Sequence, residues 1–214
     1  MRGRVLIADD HPIVREALQL AVSANWPRAS VDAAGSLAEI EALASRRGGY
    51  DLVLLDLMLP DAHGFSGLLM LQKLLPDTPV AIVSSRNDPQ TVASAYVLGA
   101  AAFLPKSTAM TVLAEQVKRV VEGERVFPTA PAAAKTDEVL DAVKRLESLS
   151  AAQLRILLAL ADGRLNKQIA GDMNLSEATV KAHLTAIFRK LKVSNRTQAI
   201  LAARPILTSS DDPA

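Results

Sequence analysis

The sequence predicts an α/β fold, five short parallel strands alternating with helices, followed by a separate all-helical unit. Three observations carry this. Short apolar runs alternate with amphipathic stretches up to about residue 122, whereas from Ser150 onward the pattern is helical throughout. A Pro- and Ala-rich stretch, FPTAPAAAK, separates the two regimes. The 214 residues, half of them hydrophobic, suffice for two small cores.

In order, Val5–Ala8, Ser30–Ala34, Leu52–Leu55, Val80–Val83 and Ala101–Leu104 read as strands. Helical patterns lie at 12–23, 37–47, 64–75, 89–98 and 109–122. Caps are supplied by Ser36 with Glu39, by Asp88 before Pro89, and by Ser107 and Thr108. Strict alternation of strand and helix implies a parallel sheet covered on both faces. Pro105 beside the fifth strand is tolerated at a sheet edge. In the flavodoxin-like order 2-1-3-4-5 that strand is an edge.

The boundaries that follow are 1–122 for the (βα)5 unit, 123–146 for a linker with a helix from DEVLDAVKRL, 147–207 for a four-helix unit, and 208–214 for a disordered tail. In the helical unit Ser150 and Gln153 form a capping box for a helix ending near Asp162-Gly163. Asn166–Met173 is the second helix, Glu177–Lys192 the third, capped by Ser176, and Arg196–Ala203 the fourth, before Pro205.

Composition narrows the function classes. Without cysteine, disulfides and thiolate metal sites are excluded. The apolar run near the N-terminus is cut short by Asp9 and Asp10, so it reads as neither signal peptide nor membrane span, and a cytoplasmic protein with no membrane partner is expected. The net charge of +1 conceals an asymmetry. Residues 1–122 hold 11 Lys and Arg against 13 Asp and Glu, whereas residues 147–204 hold 9 against 4. A small basic block suits a polyanionic partner.

Asp9 and Asp10 follow the first strand and Asp56 ends the third. In the order 2-1-3-4-5 those strands are neighbours, so the three carboxylates converge at the carboxyl edge, where ligands bind in open α/β sheets. Mutual repulsion is relieved by a hard divalent cation with oxygen ligands, Mg2+ or Mn2+. Ser84 and Lys106 sit at equivalent edges of strands 4 and 5. A carboxylate nucleophile, a metal, a hydroxyl and an ammonium are what phosphoryl transfer to aspartate needs. Singly, each has a plainer reading: Asp-Asp before a helix is often a cap, and a lone lysine is usually a solvated charge. Five coincident positions favour the chemical reading.

These motifs also carry a resemblance. ADDHP, DLMLPDAHG, VSS and GAAAFLPKS, in that order and spacing, resemble the receiver domains of two-component response regulators over residues 4–122. The resemblance implies Asp56 as phosphoacceptor, with Asp9, Asp10, Asp56 and the main-chain carbonyl of Met58 holding magnesium. It further implies Ser84 and Lys106 on the phosphoryl group and Phe103 as a rotating aromatic switch, against the plainer reading of Phe103 as core. His11 is taken as a tuner of site access, and His63 as a solvated loop residue.

Asn166–Met173, Asn174-Leu175-Ser176 and the helix from Glu177 have the form of helix, tight turn, helix. Ile169, Ala170, Leu175, Val180, Leu184, Ile187 and Phe188 follow core spacing, and Thr179, Lys181, Ala182, Thr185 and Arg189 remain on the open face. Small and hydroxylated side chains let a helix approach base edges, while Lys and Arg meet phosphates or guanine. Asn174 tolerates the left-handed backbone of the turn. The alternative is a protein-binding helical bundle. NKQIA, LSEATVKAHL and RKLKV with NRTQA resemble the LuxR-type domain that closes NarL/FixJ regulators. That resemblance implies double-stranded DNA as partner, with Asn166, Lys167, Ser176 and Lys190 joining the contact set. It also implies a sensor histidine kinase as phosphate donor and a homodimer on DNA when active. Two rivals stand beside it: a regulator whose receiver only binds protein, and an aspartyl-phosphate phosphohydrolase. The latter needs a carboxylate two residues after its nucleophile, where Met58 stands.

Overall fold

The computed structural model describes residues 3–47, 49–128 and 136–207. The Pro/Ala-rich stretch at 129–135 and the expected tail at 208–214 lie outside the described residues. The chain divides between Thr136 and Asp137 into two compact units.

The first unit is a five-stranded parallel sheet in the order β2-β1-β3-β4-β5. Its strands are β1 (Arg4–Ala8), β2 (Ser30–Ala34), β3 (Leu52–Leu55), β4 (Val80–Ser84) and β5 (Ala102–Pro105). They alternate with α1 (Pro12–Asn25), α2 (Leu37–Arg47), α3 (Ser66–Leu74), α4 (Pro89–Val97) and α5 (Met110–Val121). The inner strands read as unbroken apolar runs because both faces are buried. Val5, Ile7, Leu52, Leu54, Val83 and Leu104 form one face of the sheet in a core with Leu18 and Val22 of α1 and Leu113 and Val117 of α5. Leu6, Leu55, Ile82 and Phe103 are also buried, as are Leu68, Met70 and Leu71 of α3. Each such side chain contributes about 1.5–3 kcal/mol by leaving water.

Cap chemistry follows the sequence at some helices and departs from it at others. The Asp88 carboxylate accepts from Thr91 N at 2.9 Å and Thr91 Oγ1 at 2.5 Å. Ser36 Oγ accepts from Glu39 N, but the Glu39 carboxylate reaches back to Gly35 N and not to Ser36 N. The first turn of α2 is instead closed by Asp61, from the loop after β3, which accepts from Leu37 N at 2.6 Å and Ala38 N at 2.9 Å. Neither Ser107 nor Thr108 caps α5: Ala109 is its N-cap and makes no side-chain bond. Thr108 N turns back to Pro105 O, which carries the chain one residue further before the helix starts.

The chain does not leave the sheet after α5. Val126 pairs in parallel with Ala102, so β5 has a further neighbour on its outer side. Pro105 is accommodated because the pairing engages Phe103 N, upstream of the proline.

The second unit begins one residue into α6 (Thr136–Glu147), which spans DEVLDAVKRL, and continues with α7 (Ala151–Ala161), α8 (Asn166–Asp172), α9 (Glu177–Leu191) and α10 (Arg196–Leu207). The Ser150–Gln153 capping box is complete, with both bonds made. Val143 and Leu146 of α6 are buried. The last helix does not stop at Ala203 but runs through Pro205 to Leu207. A proline there forfeits one backbone bond, and burial of Ile206 and Leu207 on the far side offsets it.

Candidate functional site

Backbone pairing brings the carboxylates together. Asp56 N donates to Ala8 O at 2.7 Å, so the residue after β3 lies beside the one after β1. Asp9 and Asp56 are buried, while Asp10 is exposed at the rim. The Asp9 main chain is held on both sides, its N–H on Ala34 O and its carbonyl on the Arg15 guanidinium at 2.7 Å.

Lys106 enters from the end of β5. Its ammonium lies 2.7 Å from both Asp9 Oδ2 and Asp56 Oδ2, and bonds directly to the latter. Asp56 Oδ1 is buried with no hydrogen-bond partner among the described residues, and Asp9 Oδ2 meets Lys106 off the hydrogen-bonding direction. Burial raises the Asp56 carboxyl above its ordinary value, with Asp9 adding to it and Lys106 and the Met58 backbone opposing. Burial works against the Lys106 ammonium, but its contacts with Asp56 and Asp9 outweigh that and raise its pKa.

One oxygen each from Asp9, Asp10 and Asp56 and a ring nitrogen of His11 lie within 4.8 Å of one another. The unpartnered Asp56 Oδ1, the neighbouring buried Asp9 carboxylate and the oxygen-rich donor set fit a hard divalent cation. The expected site-access role of His11 meets a specific contact: its Nδ1 is 2.5 Å from Asp10 Oδ1. Met58 has an exposed side chain, and its backbone lies close enough to the Asp56 carboxyl to oppose the rise in its pKa.

Ser84 is fully buried at the end of β4, where it pairs with Pro105. Its carbonyl accepts from Lys106 N and its Oγ from Arg86 N, so serine and lysine are tied by one backbone bond. Phe103 is fully buried in β5 opposite Ile82.

In the second unit, the turn between α8 and α9 is as tight as its sequence requires. Asn174 takes φ 53, and Leu175 N closes the turn on Ala170 O at 2.8 Å. Ile169, Ala170, Val180, Leu184 and Ile187 are buried, with Leu175 and Phe188 half-buried. Lys167, Ser176, Lys181, Ala182, Thr185 and Arg189 are exposed, and Asn166 and Thr179 half-buried. Ser176 Oγ caps α9 through Thr179 N and also meets the Thr179 hydroxyl at 2.8 Å.

Lys190 is placed differently from Arg189. Its ammonium turns inward to Ser148 O and Gln153 Oε1, both at 2.7 Å, and so ties α9 to the start of α7. Sequence spacing alone did not separate these two neighbours.

Two family models match the chain: the response regulator receiver domain over residues 5–118, and the bacterial regulatory proteins of the luxR family over residues 147–203. The glycerol metabolism activator of Pseudomonas putida is 36% identical over 213 residues, covering 95% of this chain and 96% of that protein. The response regulator protein VraR of Staphylococcus aureus is 30% identical over 203 residues, covering 95% and 97%. Among solved structures, RcsB dimers bound to DNA align over 96% of this chain and 100% of that one, with a TM-score of 0.54 and 19% identity, a likeness of fold. A LuxR family DNA-binding response regulator from Silicibacter pomeroyi aligns over 59% of this chain and 96% of that one, with a TM-score of 0.51 and 28% identity.

Proposed function

The chain belongs to the two-component response regulators that join a receiver to a luxR-type DNA-binding domain, and from that premise we propose that Asp56 is its phosphoacceptor and its switch. The family is one of DNA-binding regulators and not of enzymes. The observation that carries the proposal is the buried Asp56 carboxylate, with one oxygen on Lys106 and the other without a partner among the described residues.

In this reading Asp56 attacks the phosphorus of a phosphohistidine on a sensor kinase, and the histidine leaves as its P–N bond breaks. Asp9, Asp10, Asp56 and the Met58 carbonyl would hold Mg2+ or Mn2+, which when bound neutralises charge on the phosphoryl oxygens. The phosphoryl group brings roughly −1.5 to −2 charges into the pocket. Lys106, already at the Asp56 carboxylate, pairs with that charge, and Ser84 Oγ turns from Arg86 N to donate to a phosphoryl oxygen. Because Lys106 directly follows β5, which holds Phe103, the strand passes the change to its surroundings, with Phe103 as the aromatic that repacks.

The output is a shift between two conformations that differ in DNA affinity. Lys181, Thr185 and Arg189, with Ala182 between them, form the surface of α9 offered to the major groove. Lys167, Asn166, Ser176 and Thr179 flank it at the phosphates, whereas Lys190 serves the domain's own structure. A homodimer would place two such helices about one DNA turn apart. Among the described residues no helix is long and apolar enough to cross a membrane, and the protein acts in the cytoplasm, where its DNA is.

The test is a DNA gel shift with and without acetyl phosphate and Mg2+. The expected result is tighter binding with the donor in the parent protein and none of that gain in Asp56→Ala. Equal binding in all arms would overturn the switch.

A further inference from the structure

The residues that follow α5 are fastened to the receiver in three ways that the phosphoacceptor reading does not use. Val126 is buried against β5, its N–H on Ala101 O at 3.2 Å and its carbonyl taking Phe103 N at 2.8 Å. Arg125 lies with its guanidinium 3.7 Å from the centre of the Tyr96 ring and 5.4 Å from that of Phe127. The same guanidinium donates to Tyr96 O at 2.8 Å, in the last turn of α4, and to Ala100 O at 3.1 Å, just past its end. Tyr96 and Phe127 meet edge to face at 5.1 Å.

These contacts form a clasp. One jaw is α4 and the turn into β5, and the other is Arg125-Val126-Phe127, the first residues of the connection to the second unit. The clasp holds the backbone of Phe103 in β5, and Lys106 is the first residue after that strand. An edge strand could be protected more simply by a charged or short partner. Here an arginine gives one guanidinium nitrogen to two carbonyls and its face to two rings, which fixes the connecting chain in one register.

We propose that this clasp is the receiver's output contact: Arg125, Tyr96 and Phe127 seat Val126 on β5, so that movement of β5 is handed directly to the connecting chain. The inference rests on the phosphoacceptor reading above. Without the clasp, the connecting chain would open from β5 more often, and the second unit would respond less to the receiver.

The test uses the full chain and Arg125→Ala, with Tyr96→Leu as a second variant that removes the other jaw. Amide hydrogen exchange at Phe103 and Val126 is read first. The expected change in each variant is about two- to fivefold faster exchange, the size of one exposed cation–π contact. Phosphorylation of Asp56 by acetyl phosphate is expected at the parent's yield, because neither residue touches the pocket. The gain in DNA affinity on adding donor is expected to shrink in both variants, by about the same two- to fivefold. Unchanged exchange, or a gain in DNA affinity as large as the parent's, would overturn the clasp as an output contact while leaving the phosphoacceptor reading intact. Absence of any gain in the parent itself would overturn that reading.

Discussion

Lys106 holds the charge balance of the pocket. It faces two buried carboxylates at 2.7 Å, and removing it leaves both without a cation. Lys106→Met is therefore expected to cost about 3 kcal/mol in urea unfolding without divalent ions. Millimolar Mg2+ should return part of that loss, because the cation takes over neutralisation of Asp9 and Asp56. A melt unaffected by the substitution would show that the ion pair is energetically idle. Adjacent residues on α9 provide a second contrast. Arg189→Ala should weaken DNA binding and lower the slope of log affinity against log salt by about one unit. Lys190→Ala should leave that slope alone and instead destabilise the second unit, since its ammonium bonds Ser148 O and Gln153 Oε1. Fluorescence anisotropy over a salt series, paired with thermal unfolding, separates the two roles.

At the scale of elements, much was legible where the signal is local. Asp88 before Pro89, the Ser150–Gln153 box and the left-handed Asn174 are each set by residues within three or four positions. Asp61 was not legible as the cap of α2, because it reaches Leu37 and Ala38 from a loop more than 20 residues away. Nor was the pairing of Val126 with β5, which places residues read as linker against the receiver sheet. Pro205 misled because helix-breaking is a local rule, and burial of Ile206 and Leu207 is a tertiary one. The Asp88 cap yields a pH prediction. Burial opposes the Asp88 charge, but hydrogen bonds from Thr91 outweigh it and lower its pKa below the ordinary 3.8. A lowered carboxylate pKa stabilises the fold above the unfolded value, and that contribution fades as pH falls through the folded one. Asp88→Ala should thus cost about 1 kcal/mol near neutrality. The gap to the parent should narrow only below pH 3.8, as read by urea midpoints across pH. A gap that stays constant through that range would remove charge from the cap's contribution.

At the scale of the molecule, the convergence of Asp9, Asp10, Asp56, Ser84 and Lys106 on one sheet edge was readable because strand order follows from alternation and parallel crossovers. The sharing of the Lys106 ammonium between Asp9 and Asp56 was not, since it depends on side-chain reach across three strands. The most direct measurement is the intact mass of the protein after incubation with acetyl phosphate. One phosphoryl group is expected with Mg2+, none with chelator, and none in Asp56→Ala. A phosphoryl group retained in Asp56→Ala, or none in the parent with Mg2+, would contradict Asp56 as the phosphoacceptor.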